Sequence, residues 1–346
     1  MKLRGKGIYV GVLMAMLCLV GAFALAGCNS ATDVQEETPT STTTDTNEGA
    51  AETKVCFVEI VENGAFQTMM EGFKQGMADA GYENVSYTVE NAQGDSATLN
   101  QIAASLKDSD YDVIVPIATP AAQACANAGI TTPMVFMSVT DPVAAGITTS
   151  LEKPDKGLTG TSNVSDVENI FKFGQSLVPD DFSKGVGILY CTGESNAVTT
   201  AGKAKEYLEG EGIQVTERTV TNSSEVQQTG TQLASEVGVI YVPVDSVVQS
   251  GMTQLTEAAL KVQVPVLGTD PVMVQDGALE SVSVSNEALG KQSAQMAIQA
   301  LEGTPIADIP IEVMSSDDYS VNKATAEALG VTIPTEFNGN PVNVVG

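Results

Sequence analysis

Short apolar runs rich in Val and Ile alternate with helical patterns along most of this 346-residue chain. That alternation restricts the fold more than any other feature. The strand-like runs are 55–61, 85–89, 113–117, 134–139, 186–190, 215–220, 239–244, 264–267 and 281–284. They are brief and β-branched, the pattern of strands buried on both faces of a sheet. Helical patterns lie between most of them, at 66–80, 96–106, 121–128, 167–177, 197–209, 225–235, 246–260 and 286–301. Alternation at this spacing implies βαβ units and parallel sheets. Gly81, Gly129, Gly212 and Gly303 fall just past predicted helices, where a left-handed residue is wanted.

The body of about 280 residues is too long for one small sheet, so two domains are expected. The element order repeats: strand, helix, Gly, strand over 54–90 and again over 184–220. This predicts two similar α/β lobes, the first beginning near 54 and the second near 164. Ahead of them, Lys2, Arg4 and Lys6 precede an uncharged apolar run from 8 to 25, then Ala26, Gly27 and Cys28. That order describes an export signal. The stretch Leu25-Ala26-Gly27-Cys28 resembles the lipobox of bacterial lipoproteins, which implies cleavage of residues 1–27 and a diacylglycerol on Cys28. A transmembrane helix with an incidental cysteine is the competing reading, disfavoured because 18 residues is short for a span. Residues 28–53, rich in Thr, Ser, Glu and Asp, read as the lipidated Cys and a flexible spacer, and 335–346 as a loose tail.

Charge and rare residues exclude several functions. The chain carries a net charge of −27, and loss of the three cations in 1–27 makes it −30. Such a surface repels nucleic acid and anionic lipid, so no nucleic-acid partner is expected. His and Trp are absent, which removes the commonest general base and metal ligand. Beyond Cys18 and Cys28, the thiols are Cys56, Cys125 and Cys191, widely spaced in apolar stretches. They match no metal spacing or disulfide framework and read as buried free thiols. No Gly-x-Ser-x-Gly or P-loop occurs, so neither an enzyme nor a cofactor is expected.

Open parallel sheets bind ligands beyond the carboxyl ends of their strands. Six strand ends carry small polar or acidic residues: Glu62 after the first, Thr119 after 113–117, Asp141 after 134–139, Asn196 after 186–190, Asp245 after 239–244 and Asp270 after 264–267. Helix amino ends hold carboxylates, and acidic side chains hold ammonium groups. Two facing lobes of this kind suit a zwitterion such as an amino acid. Thr119, Asp141 and Asp270 serve equally as plain helix caps. Asn196 either opens a helix or contacts ligand, and Glu62 is either a loop charge or a contact. Asp245, ending a strongly apolar strand, is favoured for a ligand role. Phe66 and Tyr190 are candidates to line a pocket. Phe136 and Tyr241 are candidates too, but sit within strands, where core packing is the commoner use.

Five stretches then carry a family resemblance: Ala118-Thr119-Pro120-Ala121-Ala122-Gln123, Ser138-Val139-Thr140-Asp141-Pro142-Val143, Leu158-Thr159-Gly160-Thr161-Ser162, Tyr241-Val242-Pro243-Val244-Asp245-Ser246, and the end at 322–334, together with Gly290. Over roughly 54–334 the chain resembles the substrate-binding lipoproteins of bacterial ABC importers, in the subgroup associated with tryptophan and other aromatic amino acids. The resemblance implies two Rossmann-like lobes with parallel sheets joined by a three-strand hinge, the type I periplasmic-binding-protein fold. The crossovers are expected near 163, 285 and 312, giving one lobe of 54–163 plus 285–312 and another of 164–284 plus 313–334. It also implies polar ligand contacts on Thr119, Asp141, Asn196, Asp245 and Asp270. The expected protein is a monomeric, lipid-anchored, extracytoplasmic binder of a small solute, most simply an amino acid, partnered by an ABC permease. A tethered ligand-sensing lobe shares the same sequence features, and a carboxylate-dependent surface hydrolase is the more distant alternative.

Overall fold

A computed structural model describes residues 52–346. The export-signal reading of 1–27, the lipidation site Cys28 and most of the spacer lie outside the described residues. The first lobe opens with β1 (Thr53–Glu59), α1 (Gly64–Asp79), β2 (Val85–Asn91), α2 (Ser96–Ser105), β3 (Val113–Pro116), α3 (Ala118–Asn127), β4 (Met134–Val139) and β5 (Leu158–Ser162). The chain then enters the second lobe with α4 (Val167–Leu177), α5 (Pro179–Phe182), β6 (Val186–Cys191), α6 (Ser195–Gly210), β7 (Val215–Val220), α7 (Val226–Ala234) and β8 (Val239–Tyr241). Next come α8 (Ser246–Gln249), α9 (Met252–Leu260), β9 (Val266–Gly268), α10 (Pro271–Gln275) and β10 (Glu280–Ser283). It returns to the first lobe for α11 (Asn286–Leu301) and β11 (Glu312–Val313), and ends in the second with β12 (Asp318–Asn322), α12 (Lys323–Leu329), β13 (Glu336–Phe337) and β14 (Asn340–Val345).

The first sheet runs β11-β5-β4-β3-β1-β2 and the second β13-β14-β12-β10-β9-β8-β6-β7. Five strands of each share one doubly wound order, 2-1-3-4-5, with parallel pairing throughout. Each sheet thus has a switch point where its strand order reverses, between β1 and β3 and between β6 and β8. The period-two alternation of buried strands explains the layering. Val55 and Phe57 enter the core under α1 and α11, while Cys56 and Val58 enter the core under α2 and α3. In the second lobe, Val186 and Ile188 face one core and Leu189 and Cys191 the other. Cys56, Cys125 and Cys191 are free and buried.

Two sequence-legible glycines fix close approaches. On α11, a Cβ at Gly290 would sit 2.0 Å from the Met69 carbonyl oxygen on α1. In β5, Gly160 has φ +151° and a Cβ there would meet the Phe136 carbonyl oxygen at 2.0 Å. β5 itself is polar yet wholly buried. Its hydroxyls are satisfied inside the lobe: Thr159 Oγ1 donates to the Ile309 carbonyl at 2.7 Å, and Thr161 Oγ1 meets Ser293 Oγ at 3.0 Å.

The expected loose tail at 335–346 is corrected. β14 pairs in parallel with β12, and β13 closes a hairpin on β14 through Asn338-Gly339, both at positive φ. Those dihedral signs are what a two-residue primed hairpin turn requires. Phe337 anchors the hairpin, with its ring 5.0 Å from Phe173 and 5.7 Å from Tyr319. The predicted single helix over 246–260 is also two, α8 and α9, parted near Gly251, where a Cβ would lie 3.0 Å from Val226.

Candidate functional site

The carboxyl ends of both sheets meet at one seam. An inner cavity takes Ala65, Phe66, Met69, Ala118, Ser138 and Asn163 from the first lobe and the segment joining the lobes. Val244, Ser246, Gln249, Thr269, Asp270 and Met273 complete it from the second lobe. An outer cavity lies between the loop 140–145 and one side of α6, where Asp141 and Lys203 bring opposite charges from opposite lobes. Cross-lobe hydrogen bonds flank the seam. Ser195 Oγ donates to Gln123 Oε1 at 3.3 Å, and Asn286 Nδ2 donates to Asp270 Oδ2 at 2.9 Å.

Local sequence explains how the inner wall is built. Asn63 caps α1 by accepting from Phe66 N at 2.9 Å, which sets Phe66 on the first turn facing the cavity. α3 starts directly after β3 with no side-chain cap, so its amino-end N–H groups have no side chain to satisfy them. Its first residue, Ala118, has φ +64°, and Ser138 in β4 has φ +61°. Both are non-glycine residues held in the left-handed region, and both line the inner cavity. Strain of this kind collects at functional sites. Ser138 sits where the β4–β5 register shifts, a bulge that turns the strand end toward the seam. Three buried polar atoms without a partner belong to cavity-lining residues, Thr140 Oγ1, Asn163 Oδ1 and Asn196 Oδ1, and Asn63 Nδ2, Thr119 Oγ1 and Asn286 Oδ1 lie in neighbouring segments. A buried polar group left unmatched costs about 1–3 kcal/mol, so those on the cavity walls suit a polar guest.

The six sequence candidates fall in different places. Asp270 lines the inner cavity, caps α10 through Val272 N at 2.8 Å, and accepts from Gln249 Nε2 at 3.2 Å. Burial pushes its carboxyl up to about 6, against the pull of its hydrogen bonds. Thr119 is buried beside Ala118 with its hydroxyl unpartnered. Asp141 lines the outer cavity and accepts from Ala144 N at 2.9 Å, capping a turn rather than a regular helix. Asn196 lines the outer cavity and donates to the Val244 carbonyl at 2.7 Å, so it forms a wall shared with the inner one. Thr119, Asp245 and Glu62 line neither cavity. Asp245 is buried with both oxygens taken by backbone, from Cys191 N at 2.5 Å and Val248 N at 2.8 Å, and so ties β6 to the strand beside it. Glu62 is exposed, and its charge adds to burial in pushing buried Glu59 up to about 7.

Glu194 is the buried neighbour of Asp245. It accepts from Val247 N at 3.0 Å, and burial together with the Asp245 charge raises it well above the usual carboxylate range. Of the aromatic candidates, Phe66 reaches the inner cavity. Tyr190 instead donates to Glu217 Oε1 at 3.2 Å, and Phe136 and Tyr241 are core. Ser138, Asn163, Gln249 and Thr269 were not among the strand-end candidates. The bulge brings in Ser138, the crossover Asn163, the short helix α8 Gln249, and Thr269 adjoins Asp270 at the end of β9.

Two doubly wound lobes crossed three times by the chain, with a polar cavity between their strand ends, define the type I periplasmic-binding-protein class. The family model of the ABC transporter substrate binding protein matches residues 54–345. The chain belongs to that family, whose members bind solutes rather than transform them. It is 31% identical over 274 residues to the tyrosine-binding protein of Clostridioides difficile (strain R20291), covering 78% of this chain and 79% of the relative. The Streptococcus pneumonia ABC domain in complex with L-Trp matches with 29% identity and a TM-score of 0.80, covering 85% of this chain and all of that one. The ligand-free, open structure of a Clostridium difficile substrate-binding protein with adhesive properties matches with 32% identity and a TM-score of 0.62, covering 85% and 99%. The protein is therefore a small-solute-binding component of an ABC transporter, a class that works outside the cytoplasm.

Proposed function

We propose that this protein captures an amino acid with an aromatic side chain between its lobes and presents it to an ABC permease for import. The observation that carries the reading is the opposition of poles across the inner cavity. Asp270 of the second lobe and Ala118, at the uncapped start of α3 in the first, both line it, and the hydroxyl of Thr119, next along the chain, is buried without a partner. An ammonium suits the first pole and a carboxylate the second. Phe66, Met69 and Met273 supply apolar and aromatic surface for the side chain. The tyrosine and tryptophan named for the relatives support the same ligand class.

Closure follows from differential affinity, because a ligand touching both lobes favours the form in which they meet. The lobes divide near 163, 285 and 312–317, and these segments act as the hinge of a monomer. Cys28 carries the lipid, and the acidic spacer after it holds the lobes off the membrane. The test is isothermal titration of the mature chain with the standard amino acids. L-Trp or L-Tyr should bind with release of heat and raise the melting temperature. Binding of no amino acid would remove the reading.

A further inference from the structure

The bond between Asn286 and Asp270 crosses from one lobe to the other beside the cavity. Asn286 is the first residue of α11, directly after the second crossover, and α11 packs on α1 of the first lobe. It is 4% exposed. Its Nδ2 donates to Asp270 Oδ2, while its own Oδ1 has no partner. Asp270 Oδ1 is held from within the second lobe by Gln249 Nε2 and Val272 N. The carboxylate is thus gripped on one oxygen by its own lobe and on the other by the opposite one.

We propose that Asn286 is a positioning residue for ligand recognition: it orients Asp270 and keeps it ionised for the ligand ammonium, and ties that contact to the hinge. This rests on the amino-acid reading of the cavity. The physical ground is that an amide donor stabilises the charged form of a buried carboxyl. Burial and the charge of Asp318 on β12 push Asp270 the other way, and the neutral amides Asn286 and Gln249 with Val272 N oppose them. An ammonium binds the ionised form. Affinity therefore rises as pH climbs through the Asp270 titration and falls below it. Loss of the Asn286 donor moves that transition to higher pH.

The experiment titrates the protein with L-Trp and L-Tyr from pH 5 to 8.5, in wild type, Asn286→Leu and Asn286→Gln. Melting of the ligand-free protein reports folding. For Asn286→Leu, the expected result is at least tenfold weaker binding at pH 7 and an acid midpoint moved upward by about half a unit or more, partly restored in Asn286→Gln. If Asn286→Leu fails to fold, Gln249→Met breaks the other side-chain donor to Asp270 and should move the midpoint the same way, by less. An unmoved midpoint with affinity within twofold of wild type overturns the proposal. Failure of wild type to bind either amino acid overturns the functional reading instead, so the two failures are distinguishable.

Discussion

Gly290→Ala tests how the first lobe holds the site together. An alanine Cβ at 290 would lie 2.0 Å from Met69 O, 2.7 Å from Phe73 N and 3.0 Å from Gly72 C. Ordinary carbon–oxygen contact is near 3.4 Å, so α1 and α11 must part by more than 1 Å. They cannot part freely, because Gly72 already sets its own hypothetical Cβ 2.5 Å from Glu287 O, and Phe73, Met77, Ala294 and Ala297 fill the same core. Overpacking of a close-packed core costs about 1–3 kcal/mol, sometimes more. The offending atoms here are backbone, which cannot rotate away, so the expected loss is at the upper end, about 3 kcal/mol. Urea unfolding followed by circular dichroism measures it. Ligand affinity should fall as well, because α1 carries Phe66 and α11 carries Asn286, both on the first-lobe side of the seam. A loss below about 1 kcal/mol with unchanged affinity would refute the reasoning.

Asp270→Asn should weaken binding of the preferred amino acid by about 30-fold or more, since stranding one partner of a buried charged pair costs about 2–5 kcal/mol; titration calorimetry reads it, and an unchanged dissociation constant removes Asp270 from the site. Glu59 is an acid whose folded titration lies above its unfolded one, at about 7 against 4.5, so the stability it gives is full below pH 4.5 and lost as pH rises toward 7, by about 3 kcal/mol. Glu59→Gln keeps an acceptor for Asn91 Nδ2, now at 2.8 Å, and should flatten the decline of wild-type stability between pH 5 and 8; parallel curves would contradict it. Phe337→Ala should cost about 1–3 kcal/mol, below the figure for a fully buried ring, and speed hydrogen exchange in β14 and the neighbouring β12. Cys28→Ser should release the protein from the membrane fraction into the medium or soluble extract, and retention would argue against the lipid anchor.

Much of the frame was legible because it follows from periodicity. The helices 167–177 and 286–301 fall where the apolar pattern places them. Gly81, Gly129, Gly212 and Gly303 all adopt positive φ just past helices. β5 carries no strand signal in the sequence, because Thr159, Thr161 and Ser162 look like loop residues until their partners across the lobe are known. The final hairpin did carry a local signal, Asn338-Gly339 beside Phe337, and the polar residues around it masked that signal. At the site, the strand-end rule finds Asp270, Asp141 and Asn196 on cavity walls, with Thr119 buried next to Ala118. It does not distinguish them from Asp245, because the Cys191 and Val248 N–H groups that occupy Asp245 become neighbours only through sheet pairing and the turn into α8. Ala118 and Ser138 are invisible in sequence, since nothing in their chemistry announces a left-handed backbone.

A crystal structure of the protein with its tightest-binding amino acid is the most direct measurement. The ligand ammonium should lie within hydrogen-bond distance of Asp270, its carboxylate at the start of α3, and its side chain against Phe66 and Met273. A ligand seated instead between Asp141 and Lys203, or one whose ammonium points away from Asp270, would contradict the assignment of poles on which the proposed function stands.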